Sequence, residues 1–512
     1  MSGMTKPGPD YAGRRKRVQV SKACQRCRRL QKGCSETRPC QRCVKVGLED
    51  QCSSAGRKRG EERAQQTVDR RTWSSYPQLP ASLSPDTRHA ANPLVGLLEL
   101  EQPRCLPPTS VVGYCVRRFF AKLYPTIPIL SNEYVEMLLE EAESLVLPRR
   151  EEAQCLLTAL CAVVLIQVEA PDVRLFEADG IPHSCAEFGR ILFEKAMSAR
   201  HRLSSRFNPC LERALATFFL YAGHVSLFHH SQAFYFLREA ATLWLVLRVD
   251  ERDSLRRTLT DRLFWVILVS ERSHGIRYRR PLTLQVTPSQ RPDFGDGDAD
   301  AAADDSSLSG LRCLVALFRP LDTTFFALLN QESTTASVSS SLLIPLLDGI
   351  QASIRNALEP QQTRLLCETQ LANLRVTQLW LLVIIWQLRL RLGLLVEEPG
   401  VPCHLAFHYP VEVGDELVAV WRTTSLESMR VHGVGINEKI FDVACAMADV
   451  LSRVPTVKDN SGTSGLENIQ CLRRLIHQLP GGESTYDALL DEHISNTLPN
   501  MLDNNPGSGE AF

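Results

Sequence analysis

Six cysteines fall within 29 residues near the start of the chain, as Cys24-x2-Cys27-x6-Cys34-x5-Cys40-x2-Cys43-x8-Cys52, while the other eleven of the 17 are spread singly. A two-residue gap lets both thiolates of a pair reach one tetrahedral metal, and soft sulfur ligands select zinc over the hard cations. The first histidine is His89, so every nearby candidate ligand is a thiolate. Two tetrahedral zinc ions need eight bonds, and six thiolates supply them when two of the six bridge both metals. That count points to a binuclear cluster. The alternative is a mononuclear ribbon on Cys24, Cys27, Cys40 and Cys43, which leaves Cys34 and Cys52 spare. Either way sulfur fills every metal position and none is open for a catalytic water, so the metal is structural. The segment is too poor in apolar residues to fold by burial, so zinc binding and folding are expected to be one event.

The charge around these cysteines is one-sided. Residues 1–59 hold sixteen Lys and Arg against four acids, although the chain as a whole balances 58 basic against 58 acidic residues. The segment is therefore strongly positive and the remainder equally negative, as expected when one part meets a polyanion and the rest must not adhere to it. Each half of the cysteine pattern reads as a short helix beginning at the second Cys and stopped by a glycine, Cys27 to Gly33 and Cys43 to Gly47. The first would display Arg28, Arg29, Leu30, Gln31 and Lys32. For Lys22, Arg42, Lys45, Arg57, Lys58 and Arg59 the simplest role is phosphate neutralisation, which sets affinity and salt dependence. The clusters 14–17 and 57–59 also read as nuclear import signals.

In its cysteine spacing, in Arg28 and Arg29 after Cys27, in Pro39 of the central loop and in Lys45 and Gly47, the segment resembles the fungal zinc-cluster transcription factors. The resemblance implies a module of two short helices around two zinc ions. Cys24 and Cys40 would bridge, Cys27 and Cys34 would complete one site, and Cys43 and Cys52 the other. It also implies that the first helix enters the major groove of double-stranded DNA and reads CGG-like triplets, with basic residues on guanine O6 and N7. Gln31 departs from the family, which usually has Lys there. Glutamine pairs best with adenine, so either the triplet is altered or Lys32 supplies the contact from a shifted register.

The elements that must position this module are sparse until about residue 111. We expect a disordered basic tail over 1–20, the zinc module over 21–59, and a flexible Pro-rich linker over 60–110 without a/d apolar heptads. A monomer and a homodimer through the large domain are both open. From 111 to 478 helical periodicity dominates: Phe234, Leu237, Ala241, Trp244 and Leu245 form one stripe, and Leu259, Leu263, Val266, Ile267 and Ser270 another. With no alternating strand pattern, the fold class is mainly α, with a large all-α domain. Segments 114–130, 234–250 and 262–284 resemble the middle homology region of the same family, the last two being most similar to regulators of starch and maltose use. Arg277, Arg279 and Arg280 are expected to form ion pairs or face solvent rather than hold an anionic effector. The acidic stretch 291–308 fails as a calcium loop, because Ala301 and Ser307 stand where Gly and Glu are needed, and is expected to be an inserted loop. The segment 479–512 reads as an acidic, partly apolar tail, a candidate contact for the transcription machinery or else a frayed end.

The composition excludes several function classes. The first twenty residues carry no secretory signal, and the longest apolar run, Leu379 to Trp386, is too short to span a bilayer, so no membrane is expected. No metalloprotease, hydrolase, P-loop or dinucleotide motif occurs, so no enzyme is expected. The reading is a nuclear, sequence-specific DNA-binding transcription factor, an activator of a fungal metabolic gene set for secondary metabolites or carbohydrate use. The alternatives are a zinc-tethered protein-interaction module and a repressor without an activation function of its own.

Overall fold

The computed structural model describes residues 35, 40–45, 106–204, 208–287, 302–331, 340–358, 360–398, 400–454 and 465–498. The chain divides into two compact units, residues 1–72 and 73–512. In the first, one short helix, α1 (Gln41–Val44), is described. In the second every regular element among the described residues is helical.

The second unit begins with α2 (Thr109–Arg118), prolonged by a π-helical turn over Phe119–Leu123, then α3 (Asn132–Glu143), α4 (Leu147–Gln167), α5 (Cys185–Ser204), α6 (Leu211–Ser226), α7 (His230–Val246) and α8 (Ser254–Tyr278). There follow α9 (Ala302–Phe318), α10 (Thr323–Asn330), α11 (Ser340–Asn356), α12 (Pro360–Thr363) and α13 (Glu368–Leu392). The last helices are α14 (Tyr409–Arg422), α15 (Leu426–Arg430), α16 (Val434–Arg453), α17 (Gly465–Gln478) and α18 (Asp487–Thr497), the last preceded by a π-helical turn over Gly482–Tyr486. Helix α4 packs on α5 and α6, and α6 on α7; further along, α13 packs on α14 and α16, and α16 on α17 and α18. A single apolar core runs through both groups.

Local chemistry sets several starts. Ser131 accepts the Tyr134 N–H at 3.2 Å, Asp253 that of Arg256 at 2.9 Å and Asp322 that of Phe325 at 2.9 Å, each satisfying a donor that a helix start leaves unpaired. Helix α13 ends at Gly393, whose φ of 70° is left-handed.

By length and apolar content α13 could cross a bilayer, yet it is the core helix of this unit, buried nearly throughout. Its polar groups are answered by protein: Gln370 donates to the Pro125 carbonyl at 2.8 Å, Gln378 to that of Ile354 at 2.8 Å, and Trp386 to that of Ala406 at 3.0 Å. A lipid-facing helix would leave such groups unmet.

Where the sequence-based expectations touch the fold, some change. The second apolar stripe holds, with Leu259, Leu263, Val266 and Ile267 buried. The first is rotated: Leu237 and Ala241 are buried together with Ala233, Phe236 and Ala240, whereas Leu245 is 56% exposed. Of the acidic loop expected over 291–308, residues 302–308 are the first turns of α9, with Ser307 and Leu308 already buried, and residues 291–301 lie outside the described residues. The linker expected over 60–110 gives way to helix at Thr109, and its residues before 106 lie outside the described ones, as does the basic tail 1–20.

The tail expected from 479 differs most. Residues 482–497 are folded onto the helical unit: Tyr486 and Leu490 are fully buried, and Arg473 binds both Asp487, at 2.7 Å, and Asp491. The apolar residues that suggested a segment for the transcription machinery instead complete the core, because their helical spacing puts them on one face. Residues 499–512 lie outside the described ones.

Candidate functional site

Cys40 is the N-cap of α1, in extended conformation, and Cys43 lies three residues on, which in a helix puts both side chains on one side. The Val44 N–H closes on the Cys40 carbonyl at 3.1 Å and Lys45 on that of Gln41 at 3.0 Å, while Ser35 Oγ accepts the Gln41 N–H at 3.0 Å. That hydroxyl satisfies the first donor of the helix, so α1 starts at Gln41 rather than at Cys43 as the glycine spacing suggested.

Both thiols are fully buried, whereas Val44 is 45% exposed. Two buried thiols three residues apart at the start of one helix have the spacing that lets a pair share one tetrahedral zinc. Lys45 is exposed at the end of the same helix. Cys24, Cys27, Cys34 and Cys52 lie outside the described residues, as do Lys22, Arg28, Arg29, Gln31, Lys32, Arg57, Lys58 and Arg59; Arg42 is within α1.

Residues 22–61 match the fungal Zn(2)-Cys(6) binuclear cluster domain, the segment that holds α1 and all six clustered cysteines. This segment is a zinc-cluster domain. It binds two zinc ions in a structural role, tying chain segments together where burial of apolar surface cannot. The chain is 21% identical to the probable sucrose utilization protein of Candida albicans, over 71% of this chain and 68% of that one. It is 20% identical to the maltose fermentation regulatory protein of Saccharomyces cerevisiae, over 86% and 85%. A stretch of 54 residues, 10% of this chain and 8% of the other, is 43% identical to a transcription activator of gluconeogenesis from Aspergillus niger.

In the helical unit, the residues first weighed as an anion site serve the fold. Arg277 forms ion pairs with Asp442 and, at 3.4 Å, with Glu438, both on α16. Glu438 also accepts hydrogen bonds from the hydroxyls of Tyr278 and Tyr486 at 2.7 and 2.8 Å, and Asp442 accepts the Trp380 indole N–H at 2.9 Å. Burial alone would raise the Glu438 carboxyl, but Arg277 and the two tyrosine hydroxyls outweigh it and hold the carboxyl below the usual range. Burial likewise opposes the charge on Arg277, and Asp442 and Glu438 overcome it. Arg279 donates to the Leu329 carbonyl at 2.8 Å and Arg280 lies over the Phe234 ring. Nothing in the sequence pairs Arg277 with partners 161 and 165 residues away; the one signal is that α16 carries Glu438 and Asp442 four apart on an otherwise apolar face.

Proposed function

We propose that this protein is a transcription factor that acts in the nucleus, binds double-stranded DNA through residues 21–59, and activates genes of carbohydrate use. The observation that carries the reading is the six-cysteine pattern inside the matched cluster domain, with Cys40 and Cys43 buried together on one short basic helix. In this reading Cys24 and Cys40 bridge the zinc ions, Cys27 and Cys34 complete one site, and Cys43 and Cys52 the other. Arg28, Arg29, Gln31 and Lys32 face base edges of a CGG-like triplet in the major groove. Lys22, Arg42, Lys45, Arg57, Lys58 and Arg59 contact phosphates and set the salt dependence. The helical unit supplies whatever pairs two copies on DNA. Relatives named for sucrose and maltose use that align over most of this chain favour carbohydrate genes over a secondary-metabolite cluster.

Selection of sites from random duplex DNA with the zinc-loaded full-length protein tests the proposal. Enrichment of one or two CGG-like triplets supports it, and the spacing between half-sites then separates monomer from homodimer. No enrichment from a folded, zinc-bound protein refutes it. An adenine in the triplet would assign base reading to Gln31.

A further inference from the structure

The turn that joins α14 to α15 presents an unusual hydroxyl. Thr423 and Thr424 turn their hydroxyls back onto carbonyls of α14, at 3.1 Å to Ala419 and 2.8 Å to Val420. Ser425 is exposed and turns the other way, its hydroxyl accepting the Ser428 N–H at 3.3 Å as the N-cap of α15. Its Oγ lies 3.1 Å from Glu368 Oε2 and 2.9 Å from Ser428 Oγ, and its N–H donates to Glu368 Oε1 at 2.6 Å. Ser428 donates its own hydroxyl to Glu368 Oε2 at 2.9 Å. The Ser425 N–H, then the two hydroxyls, hold the Glu368 carboxyl below its usual range, so it is a carboxylate. Glu368 opens α13, the core helix.

The same segment holds two other helices and grips α13 a second time. The Arg430 Nε donates to the Gln478 carbonyl at the end of α17 at 3.2 Å, the Gln167 amide to the Val431 carbonyl at 2.9 Å, and His432 Nε2 lies 2.9 Å from the Thr369 carbonyl. Residues 425–433 thus clasp the ends of α4, α13 and α17. Arg422, exposed at the end of α14, stands three residues before Ser425. That spacing lets a protein-kinase carboxylate bind a guanidinium while the hydroxyl reaches the nucleotide.

We propose that Ser425 is a phosphorylation site for a serine/threonine kinase that recognises Arg422, and that the phosphate loosens this clasp by repelling Glu368. In the transfer, Ser425 Oγ forms a bond to the γ-phosphorus of ATP, the bond from that phosphorus to the β-bridging oxygen breaks, ADP leaves, and the hydroxyl proton passes to the kinase base. The product carries about −1.5 to −2 charges where a single hydroxyl proton had bridged to a carboxylate. The phosphate keeps its place at the start of α15, but its charge opposes the Glu368 carboxylate and loosens the turn's hold on the head of α13.

The test uses the full-length, zinc-loaded protein, magnesium ATP and a purified kinase that requires Arg three residues before its acceptor. Phosphopeptide mapping should place phosphate on Ser425, and R422A should reduce that incorporation roughly tenfold, the loss of one charge-assisted contact. Phosphorylation should lower the melting temperature of the helical unit by about 2 °C. In E368Q, which keeps an acceptor but no charge, the phosphate-dependent shift should fall to less than half. Phosphate on Thr423 or Thr424 instead, incorporation insensitive to R422A, or an equal shift in E368Q would each overturn the proposal. S425A reports whether any shift comes from other sites.

Discussion

Replacing Glu438 by glutamine tests the buried charge cluster that joins α8 to α16. The carboxylate accepts from Tyr278 and Tyr486 and pairs with Arg277, and it is only 7% exposed. Both tyrosines and Arg277 meet the same carboxylate oxygen, Oε1, so a glutamine carbonyl placed there can keep the two tyrosine bonds but not the charge that pairs with Arg277. Breaking a buried ion pair by removing one partner costs about 3–5 kcal/mol, and the retained oxygen and the remaining Asp442 partner place this variant near the lower end, about 3 kcal/mol. The assay is urea unfolding followed by tryptophan fluorescence, because Trp380 is buried and bonded to Asp442 in the same cluster. The matched control is Glu427→Gln, whose ion pair with Arg430 spans 3.8 Å on the surface and is worth at most about 1 kcal/mol. The wild-type cluster also makes a pH prediction. The folded value of Glu438 lies below its unfolded value, so its contribution is present above about pH 4.3 and is lost as the pH falls through the folded value. Glu438→Gln should lack that component of the acid response. If it unfolds at the same urea concentration as Glu427→Gln, the reasoning is refuted.

Other outcomes follow from the geometry. Chelating zinc, or replacing Cys40 by serine, should abolish binding to the selected DNA while circular dichroism of the helical unit is nearly unchanged, since that unit has its own core. A Cβ on Gly482 would overlap the backbone carbonyl oxygen of Ile476, so Gly482→Ala should displace the Gly482–Tyr486 turn and make α18 a site of rapid proteolysis in a limited digest. Leu490→Ala, at a fully buried position of α18, should cost about 2–5 kcal/mol in chemical denaturation. Lys45→Ala should weaken DNA binding alike on all sequences and reduce the slope of log affinity against log salt by roughly one.

The metal centre was legible because cysteine spacing is a local property: two thiols three apart can share one ion whatever surrounds them, and the structure buries Cys40 and Cys43 together. The all-α class was legible for the same reason, as the stripe from Leu259 to Ile267 shows. The stripe on α7 was read one step out of phase. Phe234, Trp244 and Leu245 are as apolar as the residues that face the core, and only the packing of α6 and α8 decides which side turns inward. The C-terminal acids misled because Asp487 and Asp491 look solvent-bound in isolation, while Arg473 and the buried side of α18 hold them against the helical unit. Long-range pairs such as Arg277 with Glu438 and Asp442 leave no trace in any short window.

The Glu438 cluster also has a history within each molecule as it is made. Arg277 leaves the ribosome first, and Glu438 emerges 161 residues later. Its second tyrosine partner, Tyr486, follows 48 residues behind. At ordinary rates of synthesis that last interval is about 2–10 s, far longer than helix formation or collapse requires. Throughout it α16 carries a carboxylate and an apolar face without the turn that covers them. The part of the core that Tyr486 and Leu490 fill cannot close until residues 482–497 arrive, and every new copy of this protein passes through that interval first.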